Sequence, residues 1–400
     1  MTRYNFDKIT NRKGTNCLKY DFAVERGKPA DVLPLWVADM DFPVSEEITK
    51  SLHAAVEHGI YGYTQPKDAY YNAVMNWMER NHNWKTEREW IVKTPGVVFA
   101  LGAAVKAFTD PGDAILIQNP VYYPFTNIIR DNDRRVVDNT LIYEKTAGQS
   151  GDNGYRIDFE DFERKLEQEH IKLFILCNPH NPVGRVWTAE ELQQLGEICL
   201  RHHVIVVSDE IHNDFVYPGY EHTVFATVDP RFAEFTVTCT APSKTFNLAG
   251  LQISNIFIPN EKLRKAFQTE IDKTGYDEPN ALGIVACEAA YRAGEDWLDQ
   301  LRADLLKNLN FLRNFLQEKI PQIHLVEPEG TYLVWLDCSE LGITGKELDQ
   351  FIVDKAGLWL DGGSMFGPSG AAFQRVNIAC PRATLQLALD KLKTAIDGLK

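Results

Sequence analysis

Five short apolar runs limit what this chain can fold into: AILIQ (114–118), KLFILC (172–177), VIVVS (204–208), FTVTCT (235–240) and SNIFIP (254–259). Each is five or six residues long, most are rich in β-branched side chains, and all read as buried strands. Helical periods stand between or beside them, at 99–108, 189–203 and 261–273. Strands buried on both faces that alternate with helices imply a mostly parallel sheet covered on each side. From about residue 280 the pattern changes. A long helical stretch (297–320) leads to TYLVWLD (331–337) and FQRVNIA (373–379), which read as strands of a smaller α+β unit. At 400 residues the chain exceeds what one core usually fills. Two domains are therefore expected, a large one over 51–285 and a small one built from 1–50 with 286–400. GQSGDNG (148–154) reads as a surface loop.

Charge narrows the partners. A formal net charge of −14 argues against nucleic acid or an anionic membrane, since either requires a concentrated basic face. No run approaches the roughly 18 apolar residues of a membrane span, and MTRYNFDKITNRKGTN has no apolar signal core. The seven cysteines are scattered and never form a CxxC pair, so neither a disulfide framework nor a zinc site is indicated. A cytoplasmic protein with free thiols and no metal is expected.

In open α/β sheets ligands bind beyond the carboxyl ends of the strands, and three polar motifs fall there. NPHNPVG (178–184) follows one strand, DEIH (209–212) the next, and APSKTFNLAGLQ (241–252) the third. Taken singly, Asn181 is an ordinary turn residue, Asp209 a helix cap and Lys244 a strand-end cation. Together they meet on one rim. An aldehyde cofactor with a protonated ring nitrogen needs an amine to hold it, a carboxylate against that nitrogen and a donor for its phenolic oxygen.

On these motifs the chain resembles a fold-type I pyridoxal-phosphate enzyme of the class I/II aminotransferase superfamily. LPLWVADMDFP (33–43), HGIYGYT (58–64), PGVVFAL (95–101), PVYYPF (120–125), LCNPHNPVGRVW (176–187), VVSDEIHNDF (206–215), APSKTFNLAGLQ, YLVWLD (332–337) and RVNIACPR (375–382) fall in the family's order nearly end to end. WVADMDFP and SDEIH narrow the likeness to the cystathionine β-lyase or cysteine-S-conjugate β-lyase group. The resemblance implies a mostly parallel seven-stranded sheet in the large domain and pyridoxal 5'-phosphate as cofactor. It implies that Lys244 binds the cofactor covalently and then moves the substrate proton, that Asp209 pairs with the ring nitrogen, and that Asn181 bonds the phenolic oxygen. Tyr122 would stack on the ring. Gly96, Val97 and Val98, just before the helical period, and Ser243 would hold the phosphate, joined by Tyr63 from the neighbouring subunit of a homodimer. Arg375 would grip the substrate α-carboxylate, with Trp36 and Val37 at the same end. Tyr332 and GGSMFGPSG (362–370) would stand at the substrate mouth.

Three positions depart from the wider superfamily: Gln252 where many members carry a phosphate-binding arginine, Ala241 where Ser or Thr is common, and His212 where tyrosine is frequent. His212 is kept as a cofactor contact, and the phosphate is expected to rely on Ser243, the helix start and Tyr63. The activity implied is α,β-elimination of L-cystathionine and related cysteine thioethers to pyruvate, ammonia and a thiol. The alternative is a class I/II aminotransferase, because Lys244 serves both reactions. A binding or regulatory protein without catalysis is a third reading. No DNA-binding module is expected ahead of the aminotransferase-like region.

Overall fold

The computed structural model describes residues 3–145 and 153–399, so most of the expected 148–154 loop lies outside the described residues. Seven strands form the main sheet: β1 (Ile91–Thr94), β2 (Ala114–Ile117), β3 (Arg135–Asp138), β4 (Leu173–Cys177), β5 (Ile205–Asp209), β6 (Thr236–Thr240) and β7 (Ser254–Phe257). Their order is β1-β7-β6-β5-β4-β2-β3. Only β7 runs against its neighbours, β1 and β6; the other pairs are parallel. All five apolar runs became strands of this sheet. The two strands without an apolar signature, β1 (IVKT) and β3 (RVVD), lie at the two edges, where one side lacks a partner strand and polar side chains are tolerated.

Burial on both faces explains the apolar and β-branched character of these strands. Ile115, Ile175, Val207, Val237 and Ile256 pack with Ala100, Ala104 and Phe267 on one face. Leu116, Phe174, Leu176 and Val206 meet Phe162, Leu192 and Leu195 on the other. Phe174 has no exposed surface, and truncating a ring so enclosed to alanine typically costs about 3–5 kcal/mol. The covering helices are well terminated: Thr188 and Glu191 form a reciprocal capping box on Ala189–Arg201, and the Asn260 side chain caps Glu261–Asp272.

A second sheet comprises β8 (His324–Val326), β9 (Leu333–Asp337), β10 (Asp361–Gly362) and β11 (Phe373–Asn377), all antiparallel in the order β8-β9-β11-β10. Near the chain start, Leu33–Pro34 pairs in parallel with Leu358–Trp359. That pairing carries residues 35–42 toward the carboxyl ends of the main sheet. Beneath them one apolar cluster runs from Tyr70 and Trp77 through Trp297, Leu301 and Leu312 to Leu333, Leu336 and Ile378. No helix among the described residues is long and apolar enough to cross a membrane.

Candidate active site

Consecutive parallel strands deliver the polar motifs to one place. Asp209 is the last residue of β5 and is 4% exposed; its Oδ1 accepts the Ile211 amide at 3.1 Å, which fixes the carboxylate at the strand end. Asn181 follows β4. Lys244 follows β6, but within a one-turn helix, Pro242–Thr245, rather than on the strand itself. That turn is anchored from behind, because Thr245 donates to a buried Asp214 that also accepts from Trp77 Nε1 at 3.2 Å and lies 2.9 Å from His82 Nε2. After β1, the helix Val97–Phe108 begins with Gly96 at its N-cap, so Val97 and Val98 are its first residues and not the residues before it. Apolar side chains at 97 and 98 extend the helical period by one half-turn beyond the sequence reading.

A cavity of about 170 Å³ is lined by Gly96, Val97, Val98, Tyr122, Asn181, Asp209, His212, Ser243 and Lys244 together, with Ala38 closing one side. Nine residues expected at the cofactor therefore share one space. Lys244 Nζ donates to the Ala38 carbonyl at 2.8 Å, and the Tyr332 hydroxyl donates to the same oxygen at 3.1 Å. Tyr332 has no exposed surface, so it braces the inner wall instead of standing at the mouth.

Arg375, on β11, is 3% exposed. Its Nη1 donates to Asn181 Oδ1 and its Nη2 to the Trp36 carbonyl, each at 2.9 Å, and Nη2 also meets Asp361. Since the Asn181 oxygen is taken, its amide nitrogen is the group left to donate. Trp36 enters the site through its backbone; its indole stacks on Trp359 with centroids 4.3 Å apart. The Val37 carbonyl accepts from Asn377 Nδ2 at 2.6 Å, which pins the loop carrying Ala38. The glycine-rich 362–370 stretch is a wall of the site. A Cβ on Gly363 would lie 2.0 Å from the Gly370 carbonyl oxygen, so only glycine permits the close turn that lays the Phe366 ring 4.9 Å from the Arg375 guanidinium.

Burial dominates the electrostatics. It pushes the Lys244 amine down to about 8, with the Arg375 charge acting in the same direction and Asp39 and Asp209 opposing. It raises Asp209 to about 7, against the Ile211 amide and Lys244. His212 is driven well below its ordinary range by burial, then by Lys244 and Arg375, and its Nδ1 has no partner. The residues fit the expected cofactor. A buried carboxylate with no ion-paired cation among the described residues suits a protonated ring nitrogen, a lysine of lowered basicity suits an aldehyde, and the free amides at the start of Val97–Phe108, beside Ser243, suit a phosphate. Lys244 is the one cationic side chain among the described lining residues, and Gln252 is exposed outside the cavity.

Tyr63 is the exception. It is 95% exposed and contributes nothing to the cavity of its own chain. Two contributors escaped the sequence reading: Ala38, which acts through a carbonyl that every residue type carries, and Asp361, which is paired with Arg375 only by strand register.

Residues 30–392 match the family model described as aminotransferase class I and II. The chain is 46% identical over 392 residues to cystathionine beta-lyase PatB of Bacillus subtilis, covering 98% of this chain and 100% of that one. Among solved structures, it superposes on cystalysin from Treponema denticola, which contains a pyridoxal 5'-phosphate cofactor, with a TM-score of 0.94 and 38% identity across 99% of this chain and 100% of the other. The pyridoxal-phosphate-bound C–S lyase of Staphylococcus hominis gives a TM-score of 0.91 and 35% identity over 98% of both chains. The family-model match over residues 30–392, a lysine, aspartate and asparagine converged on one cavity, and end-to-end likeness to these proteins lead to one statement: the chain belongs to the class I and II aminotransferase family.

Proposed function

We propose that this protein is a pyridoxal-phosphate-dependent C–S β-lyase acting on L-cystathionine and related cysteine thioethers. The observation that carries the reading is the shared cavity of Lys244, Asp209, Asn181 and the helix start, in a chain that matches C–S lyases along its full length. The cofactor, once bound, supplies an aldehyde for the substrate amine and a protonated ring that takes up the electron pair left at Cα. Everything else falls to the chain. Asp209 keeps the ring nitrogen protonated, Asn181 donates its amide to the phenolic oxygen, and Tyr122 stacks on the ring. The substrate carboxylate sits on Arg375, which sets the Cα–H bond toward Lys244. Burial and the Arg375 charge lower the Lys244 amine to about 8, which enlarges the fraction present as free base that can take that proton and return it. The Cβ–S bond then breaks, the sulfur leaves as thiol, and one water is consumed as the remaining three carbons and nitrogen emerge as pyruvate and ammonia.

Incubation with L-cystathionine should release homocysteine, pyruvate and ammonia in equal amounts without any added keto acid. Turnover that requires an amino acceptor and leaves the C–S bond intact would replace this reading with the aminotransferase one.

The same proposal includes a homodimer with shared sites, supported by the exposed apolar segment near the helix Glu46–His58, where Val56, Ile60, Tyr61 and Tyr63 stand bare, and by Val98 at the cavity rim, 44% exposed. Tyr63 would then complete the phosphate end of the partner site. Mixing an inactive Tyr63→Ala variant with an inactive Lys244→Ala variant should restore a fraction of activity in mixed dimers; no recovery would overturn the shared site. The same reading divides the chain into a cofactor-holding domain over 51–285 and a smaller one from both chain ends, supported by the Leu33–Pro34 pairing with Leu358–Trp359. A cytoplasmic role in sulfur amino acid metabolism, including methionine biosynthesis, is proposed with it.

A further inference from the structure

Arg375 is assigned to an incoming carboxylate, yet a carboxylate already holds it. Asp361 and Arg375 face each other across the β10–β11 register, and Nη2 donates to Asp361 Oδ2. Both are almost sealed from water, at 5% and 3% exposure. Among the described residues the Asp361 carboxylate accepts a hydrogen bond from Arg375 and from no other group. On the guanidinium, Nη1 is held by Asn181 and Nη2 by Asp361 and the Trp36 carbonyl, while Nε has no partner. One donor of a bidentate fork is thus left open in a buried place, where an unmet N–H loses its hydration without compensation. A substrate carboxylate is the ligand that would meet it.

The pair has a physical reason to exist. A lone guanidinium at this depth would cost several kcal/mol in lost hydration, and removing one member of such a pair leaves the other uncompensated. Arg375 also presses on its neighbours: its charge lowers the Lys244 amine and the His212 imidazole. An adjacent negative charge softens that pressure. The other charged or titratable groups facing the pair are Asp349 and Arg26 from the cavity behind Asp361, Tyr122 and Tyr123 from the loop before Pro124–Asp131, and Asp39 and Asp209 around Lys244. None of these approaches Arg375 as a hydrogen-bonded carboxylate. That role is Asp361's alone among the described residues.

We propose that Asp361 is the resident counter-ion of Arg375, a positioning residue that orients the guanidinium and, by sharing its charge, limits how tightly the site holds a substrate carboxylate. Such a device favours release of a carboxylate product over tight retention. It rests on the assignment of Arg375 to the carboxylate, and the two claims can fail separately.

The test compares holoenzymes carrying Asp361→Asn, which keeps the shape and removes the charge, and Arg375→Lys. Propionate serves as a carboxylate probe, competing with a thioether substrate, and propionamide is its neutral control. In Asp361→Asn the inhibition constant for propionate should fall about 3- to 10-fold, with propionamide unchanged. The pH midpoint of the visible absorption change of the bound cofactor should also move down, by roughly 0.5–1 pH unit, as Lys244 feels an uncompensated Arg375. A residue that only braced the strand would give weaker propionate binding and an unmoved midpoint, and either result overturns the proposal. If Asp361→Asn does not fold, the smaller neutral Asp361→Ser is measured against the same two expectations. Arg375→Lys should weaken propionate at least 10-fold, because lysine cannot offer a planar fork. If it does not, the carboxylate assignment itself fails; if it does while Asp361→Asn matches the wild type, only the counter-ion role fails.

Discussion

Lys244→Ala is expected to abolish the visible absorption of the bound cofactor at its enzyme-linked wavelength and to lower thiol release from cysteine thioethers by at least about 10³-fold. A positioned general base alone contributes 10²–10⁴, and the same amine also holds the cofactor. The structure shows why no neighbour substitutes. His212 is the other nitrogen base in the cavity, but its Nδ1 is enclosed without a partner, and burial with two nearby cations works against its taking a proton. The Ala38 carbonyl that receives Lys244 Nζ at 2.8 Å is an acceptor and cannot act as a base. Added small primary amines should restore part of the activity of Lys244→Ala, since the pocket vacated by the side chain lies beside the same acceptor. Full activity in Lys244→Ala, with an unchanged spectrum, would sink the assignment.

Asp209→Asn should act in opposite directions on catalysis and on stability, and that opposition is the stronger test. In the loaded enzyme the carboxylate loses its partnership with the ring nitrogen. Breaking a buried pair costs about 3–5 kcal/mol, so kcat/KM should drop by roughly 10²- to 10⁴-fold. Without cofactor the sign reverses. Burial raises Asp209 from 3.8 to about 7, so the folded chain keeps a proton that the unfolded chain loses above 3.8. Its contribution to stability is intact below the unfolded value and declines as pH rises toward 7. At pH 8 cofactor-free Asp209→Asn should therefore be more stable than the wild type by about 2–4 kcal/mol, and near pH 4 the two should coincide. Urea unfolding of the stripped proteins at the two pH values measures this. A variant that is less stable at pH 8 would mean that Asp209 has a cationic partner within the chain.

The separate fates of particular residues show what was legible. AILIQ, KLFILC, VIVVS, FTVTCT and SNIFIP announced themselves because strands packed on both faces are dominated by apolar and β-branched side chains. IVKT and RVVD did not, because an edge strand carries no such requirement. Lys244, Asp209 and Asn181 were readable as residues that follow strands, and a parallel sheet brings successive strand ends to one edge. Ala38 was invisible for a different reason: a backbone carbonyl has no sequence signature, and its value depends on where Asn377 and Asn247 pin the loop. Trp36 meets Arg375 through its carbonyl because its ring stacks on Trp359, a choice of contact that residue identity does not reveal.

What the sequence determined by itself was the layering and the chemical inventory. Hydrophobic period selects strand or helix, and the order of motifs names an amine, a carboxylate and an amide donor, because those depend on neighbours within a few residues. What only the tertiary structure decided was the state of those groups. A carboxylate raised to about 7, an amine lowered to about 8 and an arginine already sharing its charge with Asp361 arise from burial and from partners as far as 206 residues away in the chain. Local composition cannot encode them, since desolvation is a property of the space a side chain occupies and not of the residues beside it in the chain.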